Sequence, residues 1–479
     1  MTTAFHLRPF EDGDHLAVRD NRLHLAGADL TALAEEFGTP LFVYSERRIR
    51  ENARGLLGAF KAHHDHAHVC YASKACANLT VLGIIKEEGL DLEVNSGGEI
   101  LKAREAGFAP DRMVMNGVSK SRDEIALALS PPIKAINVDS PFELERIAAV
   151  ASELSVRANV ALRGVPGVQG GSTAGIETGS ERSKFGMTEA EIERCLELAE
   201  NNRQSLRVAG LHVHIGSQMT DMGLYATAAR YVAERGGSIQ ARLPGDLRHL
   251  NIGGGFPKTY VKYNDQSPEI GYFHTDVRVD DVASTVMPIL KDVLGADLEI
   301  LSEPGRAMMS DTAVCLARVE GQKERDGTRW LYLDTGYSVI PESAQGWYFH
   351  MTSVNRAGDE DTERLRVVGP LCDSIDVYYD TEGESKLESL LKAEPSLQQH
   401  HDLLRSTLVR TPPMRELQAS TVPGDVIAIL DTGAYQIELA SHYCGRLRPG
   451  AVMVRDDGSI RTIRARDTLD DLVQHERII

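Results

Sequence analysis

No stretch of this chain approaches the roughly 20 consecutive apolar residues that a membrane span needs. Its opening residues, MTTAFHLRPFEDGDH, are polar and acidic where a secretory signal would be basic and then apolar. A cytoplasmic protein with no membrane partner is the expectation. Cysteine is scarce: Cys70, Cys76, Cys195, Cys315, Cys372 and Cys444 are scattered without CxxC spacing, which suits neither a disulfide framework nor a zinc site. Positive charge is in deficit, with 52 Lys and Arg against 70 Asp and Glu for a formal net charge of −18. That balance argues against a nucleic-acid partner, which needs a basic surface to neutralise phosphates. No repeat at the sequence level supports a solenoid.

What is present is the material for a large core. Hydrophobic residues make up 42% and charged residues 25% of the 479 positions, and a chain of this length is expected to divide into two domains. From Ser45 onward, short β-branched runs alternate with amphipathic stretches. The strand candidates are HVCYAS ending at Ser73, LDLEVN at Asn95, RMVMN at Asn116, KAINVD at Asp139, NVALR at Arg163, AGLHVH at His214, RHLNI at Ile252 and LEILS at Ser302. Helical patterns such as GGEILKAREAGF, SPFELERIAAVASEL and TEAEIERCLELAENN sit between them. Eight strand–helix units predict an α/β fold built on a (β/α)8 TIM barrel over residues 45–310, with an open doubly wound sheet as the competing arrangement. After Arg306 the texture changes to strand-like pieces with Asp-Gly turns at Asp326-Gly327 and Asp457-Gly458, which predicts a C-terminal, mostly antiparallel β domain over residues 311–479. Residues 1–44 begin strand-like and are expected to join that domain. A polar, helix-prone insertion interrupts it at about residues 381–415.

In a barrel, the C-terminal ends of the strands share one face, and chemistry collects there. Those ends carry Lys74, Glu93, Glu99, Asn116, Asp139, Arg163, His214, the triplet Gly253-Gly254-Gly255, Glu303 and Arg306. Each alone has a bland explanation, as a solvated lysine, a turn or a core histidine. Together, an amine, a glycine turn and a carboxylate match what pyridoxal 5'-phosphate (PLP) requires. The cofactor needs a nitrogen to bond its aldehyde, backbone N–H groups for its phosphate, and an acid that keeps its ring nitrogen protonated.

The segments FVYS, YASKA, NSGGEI, INVDS, SKFGM, GLHVHIGSQ, NIGGGFP, SEPGR, GPLCDSIDV and DTGAY, in this order, resemble the fold-type III PLP-dependent decarboxylases of ornithine, diaminopimelate and arginine. The resemblance spans most of the chain and implies an alanine-racemase-like barrel, a β domain and a homodimer with shared active sites. Carried over to this sequence, it implies that Lys74 bonds the cofactor, His214 stacks on its ring and Glu303 meets the ring nitrogen. Ser217, Gly254, Gly255, Gly305, Arg306 and Tyr435 would surround the phosphate. Cys372 would return a proton to the substrate carbon after carbon dioxide leaves, reaching in from the partner subunit together with Asp373. Arg306 and Tyr337 are further candidates for contact with the amino-acid substrate. A catalytically silent regulatory homologue is the non-enzyme alternative, and retention of both Lys74 and Cys372 speaks against it.

Departures from each subfamily bear on the substrate. Diaminopimelate decarboxylases typically show Cys-Glu-Ser where this chain has Cys372-Asp373-Ser374, and an arginine in the stretch that reads TGYSVIPESAQGWYFH here. Arg306 or Arg356 could compensate for that arginine. Asp373, with Asp376 or Glu342, could instead hold a distal ammonium. The segments GWYFHMTSVNR, EVNS and GPLCD look closest to bacterial D-ornithine/D-lysine decarboxylases. A basic amino acid of the ornithine or lysine kind, the D form included, is therefore the leading expectation. Meso-diaminopimelate, or a larger siderophore or antibiotic intermediate, is the alternative. The tract HHDHAH from His63 to His68 reads as a solvated loop before the first barrel strand, and no metal is expected. Tyr443-Cys444 stands where the family often has Tyr-Asn.

Overall fold

Strands covered by helices on one face and by a packed interior on the other read as continuous apolar runs, and eight short runs of this kind close the barrel. The computed structural model describes residues 15–167, 183–262, 268–294 and 298–479. Residues 1–14 of the expected N-terminal segment, including most of the opening stretch, lie outside these. The barrel strands are β1 (Ala67–Ala72), β2 (Asp91–Val94), β3 (Met113–Met115), β4 (Ala135–Val138), β5 (Ala158–Arg163), β6 (Leu206–His212), β7 (His249–Asn251) and β8 (Glu299–Ser302). They follow one another in parallel order, and β8 closes on β1 through Ile300↔Ala67, Leu301↔His68 and Ser302↔Val69. All eight predicted strands are present, and the closed ring decides against the open doubly wound sheet.

The helices that return the chain carry the start signals their sequences promise. Ser96 accepts from the Glu99 N–H at the start of helix Gly97–Glu105, and Ser140 does the same from Glu143 for Pro141–Glu153. Ser121 and Glu124 form a reciprocal capping box on Arg122–Ala128. These caps fix where each strand end stops and where its loop begins.

The chain divides into two compact units. One comprises Ile49–Lys258 and Val277–Met309 and contains the barrel; the other comprises the described residues up to Arg48, Thr259–Asp276 and Ser310–Ile479. The expected barrel segment 45–310 is thus interrupted. Thr259–Asp276 belongs to the second unit because its aromatics are buried there: Tyr260 and Phe273 pack edge-on against Trp347, with ring centroids 5.5 and 5.1 Å apart, and Lys262 pairs with Asp431 at 2.8 Å.

In that second unit, the long strand Ala313–Arg325 pairs antiparallel with Leu41–Ser45, Val426–Ile429 and Thr328–Leu333. Leu41–Ser45 also pairs in parallel with Gly450–Val454. The hairpin between Arg325 and Thr328 turns on Asp326 and Gly327, both at positive φ (52° and 69°), the two-residue turn that an Asp-Gly pair favours. The insertion forms helices Thr381–Ala393 and His401–Leu408. Asp380 joins its two ends, accepting from the Gly383 and Arg410 amides at 2.9 and 3.0 Å. Among the described residues, no helix is long and apolar enough to cross a membrane.

Candidate active site

Four barrel strands break their apolar pattern with a polar residue that is fully buried: Glu93 in β2, Asn137 in β4, His212 in β6 and Asn251 in β7. These side chains converge with Asn116, just past β3, and Glu303, just past β8. One oxygen of Glu303 accepts from Asn116 Nδ2 at 2.9 Å and faces His212 Nε2 at 3.1 Å. The other accepts from Asn251 Nδ2 at 2.7 Å and, more loosely, from Asn137 Nδ2 at 3.4 Å. Asn116 Nδ2 also donates to Glu93 Oε1 at 2.8 Å, so one carboxamide bridges two buried carboxylates. Lys74, in the short turn after β1, has a side chain about 47% exposed, and its Nζ lies 3.8 Å from that same Glu93 oxygen.

The two bridged acids have opposite electrostatics. Burial pushes Glu93 up to about 7; Lys74 opposes that shift, and the neighbouring Glu303 and Glu99 charges add to it. Burial would raise Glu303 as well, but His212 beside it and the Lys74 charge outweigh burial and hold it well below the usual carboxylate range. Glu303 is therefore the member that ionises first, and Glu93 the one that keeps a proton up to about pH 7. Burial first, then the Arg163 and Lys74 charges, hold His214 well below the usual histidine range, so its imidazole is neutral. The Gly254 N–H donates to His214 Nδ1 at 3.1 Å, which leaves the ring proton on Nε2.

The glycine triplet is a tight backbone crossing. Gly253 and Gly255 have φ of 66° and 84°. A Cβ at Gly254 would fall 2.1 Å from the Glu303 carbonyl oxygen, and one at Gly255 would fall 2.0 Å from that of Gly216. A side chain fits at neither position, so only glycine lets the two backbone segments approach this closely. Beside it, buried Arg306 follows Gly305 and donates from Nε to Ser217 Oγ at 3.3 Å. An amine at the rim, an ionised acid, a neutral imidazole and a glycine–arginine–serine corner fit a phosphorylated pyridine aldehyde.

The other sequence-predicted residues belong to the second unit. Cys372 is exposed in a loop after strand Thr362–Val368. Next to it, Asp373 Oδ2 accepts from Tyr337 Oη at 2.8 Å and from Tyr443 Oη at 3.2 Å, while Oδ1 accepts from the Ile375 N–H at 3.2 Å. The Tyr337 hydroxyl first, then the Ile375 amide, hold Asp373 below the usual carboxylate range. Tyr435 has a φ of 69° and leads into helix Gln436–Leu439.

Other residues considered for the site have partners of their own. Asp376 is buried and accepts the Tyr337 and Leu371 amides at 2.8 and 2.7 Å, so it anchors the loop and is not free to hold an ammonium. Glu342 is buried against Gln436 Nε2 at 2.5 Å. Arg356, considered for a distal carboxylate, pairs with Asp425 at 2.6 Å. Glu99 ties the loop behind Lys74, accepting from Ser73 Oγ and the Asn95 N–H at 2.6 and 2.7 Å. Arg163 is buried over the Phe185 ring, and Asp139 accepts the Gly186 N–H. The histidine tract is no simple loop: His68 stands in β1 and reaches Asp91 at 3.4 Å. Among the described residues, no group of three or more His, Cys, Asp or Glu side chains is placed to hold a metal ion.

Sequence reasoning passed over His212, Asn137 and Asn251. The signal was present, since a polar residue inside an apolar parallel strand must find partners in the barrel interior.

Comparison with known proteins identifies the family. Residues 47–310 match the family described as "Pyridoxal-dependent decarboxylase, pyridoxal binding domain". The chain is 32% identical over 470 residues to the diaminopimelate decarboxylase of Methanocaldococcus jannaschii, covering 97% of each. It is 31% identical over 466 residues to that of Methanothermobacter thermautotrophicus, covering 95% of this chain and 96% of the relative. The crystal structure of the M. jannaschii enzyme in complex with L-lysine superposes with a TM-score of 0.81 at 29% identity, covering 97% of this chain and 98% of that one. The chain belongs to the pyridoxal-dependent decarboxylases and is a PLP-dependent carboxy-lyase acting on an amino acid.

Proposed function

We propose that the substrate is an α-amino acid with a second amino group at its far end, the class that includes diaminopimelate, lysine and ornithine. The observation that carries this is Asp373, a carboxylate held as an anion by two phenols in the loop that also bears Cys372. Pyridoxal phosphate, when bound, supplies the electron sink that stabilises the carbanion left by departing carbon dioxide. Lys74 provides the amine that holds the cofactor. Glu303, ionised by its ring of donors, keeps a proton on the ring nitrogen. Neutral His214 would offer a flat face for the ring without adding charge, and Ser217, Gly254, Gly255, Gly305 and Arg306 would take the phosphate. Cys372 delivers a proton from Sγ to the α-carbon. The exposure of Cys372, beside the half-buried Asp373, supports a homodimer in which each copy supplies them to its partner.

The diaminopimelate decarboxylases among the relatives support meso-diaminopimelate as the substrate. A second reading, ornithine or lysine in either configuration, is favoured by a specific feature. No arginine or lysine lies between Asp334 and His350, so a distal carboxylate has no cation in this segment, whereas a distal ammonium has Asp373.

Carbon dioxide release by the PLP-loaded protein from meso-diaminopimelate and from both enantiomers of lysine, ornithine and arginine separates these. Turnover of diaminopimelate alone establishes the first reading, and turnover of one basic enantiomer the second. Silence across the panel with cofactor bound overturns both and leaves the larger intermediate.

A further inference from the structure

Tyr443 lies outside the motifs that define the site, yet its hydroxyl reaches Asp373, the carboxylate that the proposed function assigns to the substrate. We infer that Tyr337 and Tyr443 form a clamp that sets the enzyme's preference for a distal ammonium by fixing Asp373. This rests on the distal-amine reading above and names the residues that enforce it.

Both phenols donate to Oδ2, at 2.8 and 3.2 Å. A carboxylate oxygen has two lone-pair directions, so an incoming ammonium is steered to Oδ1. The choice of tyrosine matters. A phenol donates a hydrogen bond while uncharged at neutral pH, so it orients the carboxylate and leaves its charge for the substrate; a lysine or arginine in either place would cancel that charge. The rings support each other, with centroids 5.6 Å apart and planes tilted by 32°.

The backbone under the clamp is fixed independently. The buried Asp376 carboxylate accepts the N–H of Tyr337 from one segment and of Leu371 from the other. Gly336 and Gly369 close over it, and a Cβ on either would fall 2.1 and 2.2 Å from a carboxylate oxygen. Arg446 donates to the Pro370 carbonyl oxygen at 3.3 Å, on the outer side of the same loop. Tyr337 and Asp373 therefore start from anchored backbone, and Tyr443, itself 46% exposed, closes the arrangement from a third segment.

The test titrates holoenzyme with cadaverine and pentylamine, a diamine and a monoamine of one chain length, and measures the preference for the first. Tyr443→Phe and Tyr337→Phe keep the ring packing and remove only the hydroxyl. Each is expected to lower the preference about 3- to 10-fold, and to raise KM for the best substrate while kcat changes less than about twofold. Asp373→Asn is expected to lower the preference further. An unchanged preference in both phenylalanine variants, with a loss in Asp373→Asn, overturns the clamp while sparing the distal-amine reading. An unchanged preference in Asp373→Asn overturns that reading and the clamp with it.

Discussion

The barrel interior and the Cys372–Asp373 loop both present carboxylates, but they manage the charge in opposite ways. In the barrel, Glu93 and Glu303 are sealed from water and share one carboxamide, so they cannot both ionise cheaply. The structure surrounds Glu303 with Asn116, Asn137, Asn251 and His212, and leaves Glu93 to hold the proton. In the loop, Asp373 keeps access to solvent, its charge costs little, and the phenols around it provide orientation. Depth, more than residue type, decides whether neighbours must stabilise a charge or merely aim it.

The sharpest test of the division of labour is to disable each set in turn. Lys74→Ala should lower decarboxylation at least about 10³-fold, because the amine that holds the cofactor is gone. Cys372→Ala should also lose most turnover while still binding cofactor. If the two sets meet across a dimer, mixing the two inactive variants should restore about a quarter of wild-type activity, since half the dimers are mixed and each carries one intact site. No recovery after subunit exchange, verified with tagged copies, would refute the shared site.

Glu303→Gln should come next, lowering activity on the order of 10²-fold through loss of the ionised partner to the ring nitrogen. It should also change acid stability. Because the folded state holds Glu303 below its ordinary value, its stabilisation is present above about pH 4.5 and disappears as pH falls further. Urea unfolding of variant and wild type should therefore converge below that pH.

Glu93→Gln should show the opposite sign. Glu93 is raised to about 7 in the folded protein, so its favourable contribution is present below pH 4.5 and is lost as pH rises through 7. Relative to wild type, the variant should gain about 1–3 kcal/mol between pH 5 and pH 8. A parallel pH dependence in the two proteins would show that Glu93 is ionised throughout.

The smallest effect is expected beside the clamp. Cys444 has φ of 54° and ψ of 27°, a left-handed conformation that asparagine tolerates better than most side chains. Cys444→Asn should raise stability by about 0.5–1 kcal/mol in thermal unfolding. Activity toward the best substrate should stay within about twofold.

Much of this could be read in the chain before any coordinates. Eight apolar runs spaced by amphipathic stretches and the Asp326-Gly327 turn are local signals, each set by backbone preference or hydrophobic period. Lys74, His214, Glu303 and the glycine triplet were visible because they stand at strand ends, where barrel geometry gathers them. The transfer of Thr259–Asp276 out of the barrel was not visible, since it depends on the partners its aromatics find in Trp347 and Phe349. Asp376 looked like Asp373, three residues away; only the glycines packed around it show that its charge serves the backbone.

The sequence by itself determined the elements, their order and the chemistry available at the barrel mouth, because helix and strand signals and motif spacing are carried by neighbouring residues. Which carboxylate holds a proton, which nitrogen of His214 bears one, and which side chains aim Asp373 were decided only by the tertiary structure. Those properties depend on burial and on contacts between residues far apart in the chain, such as Asn116 with Glu303 and Asp373 with Tyr443.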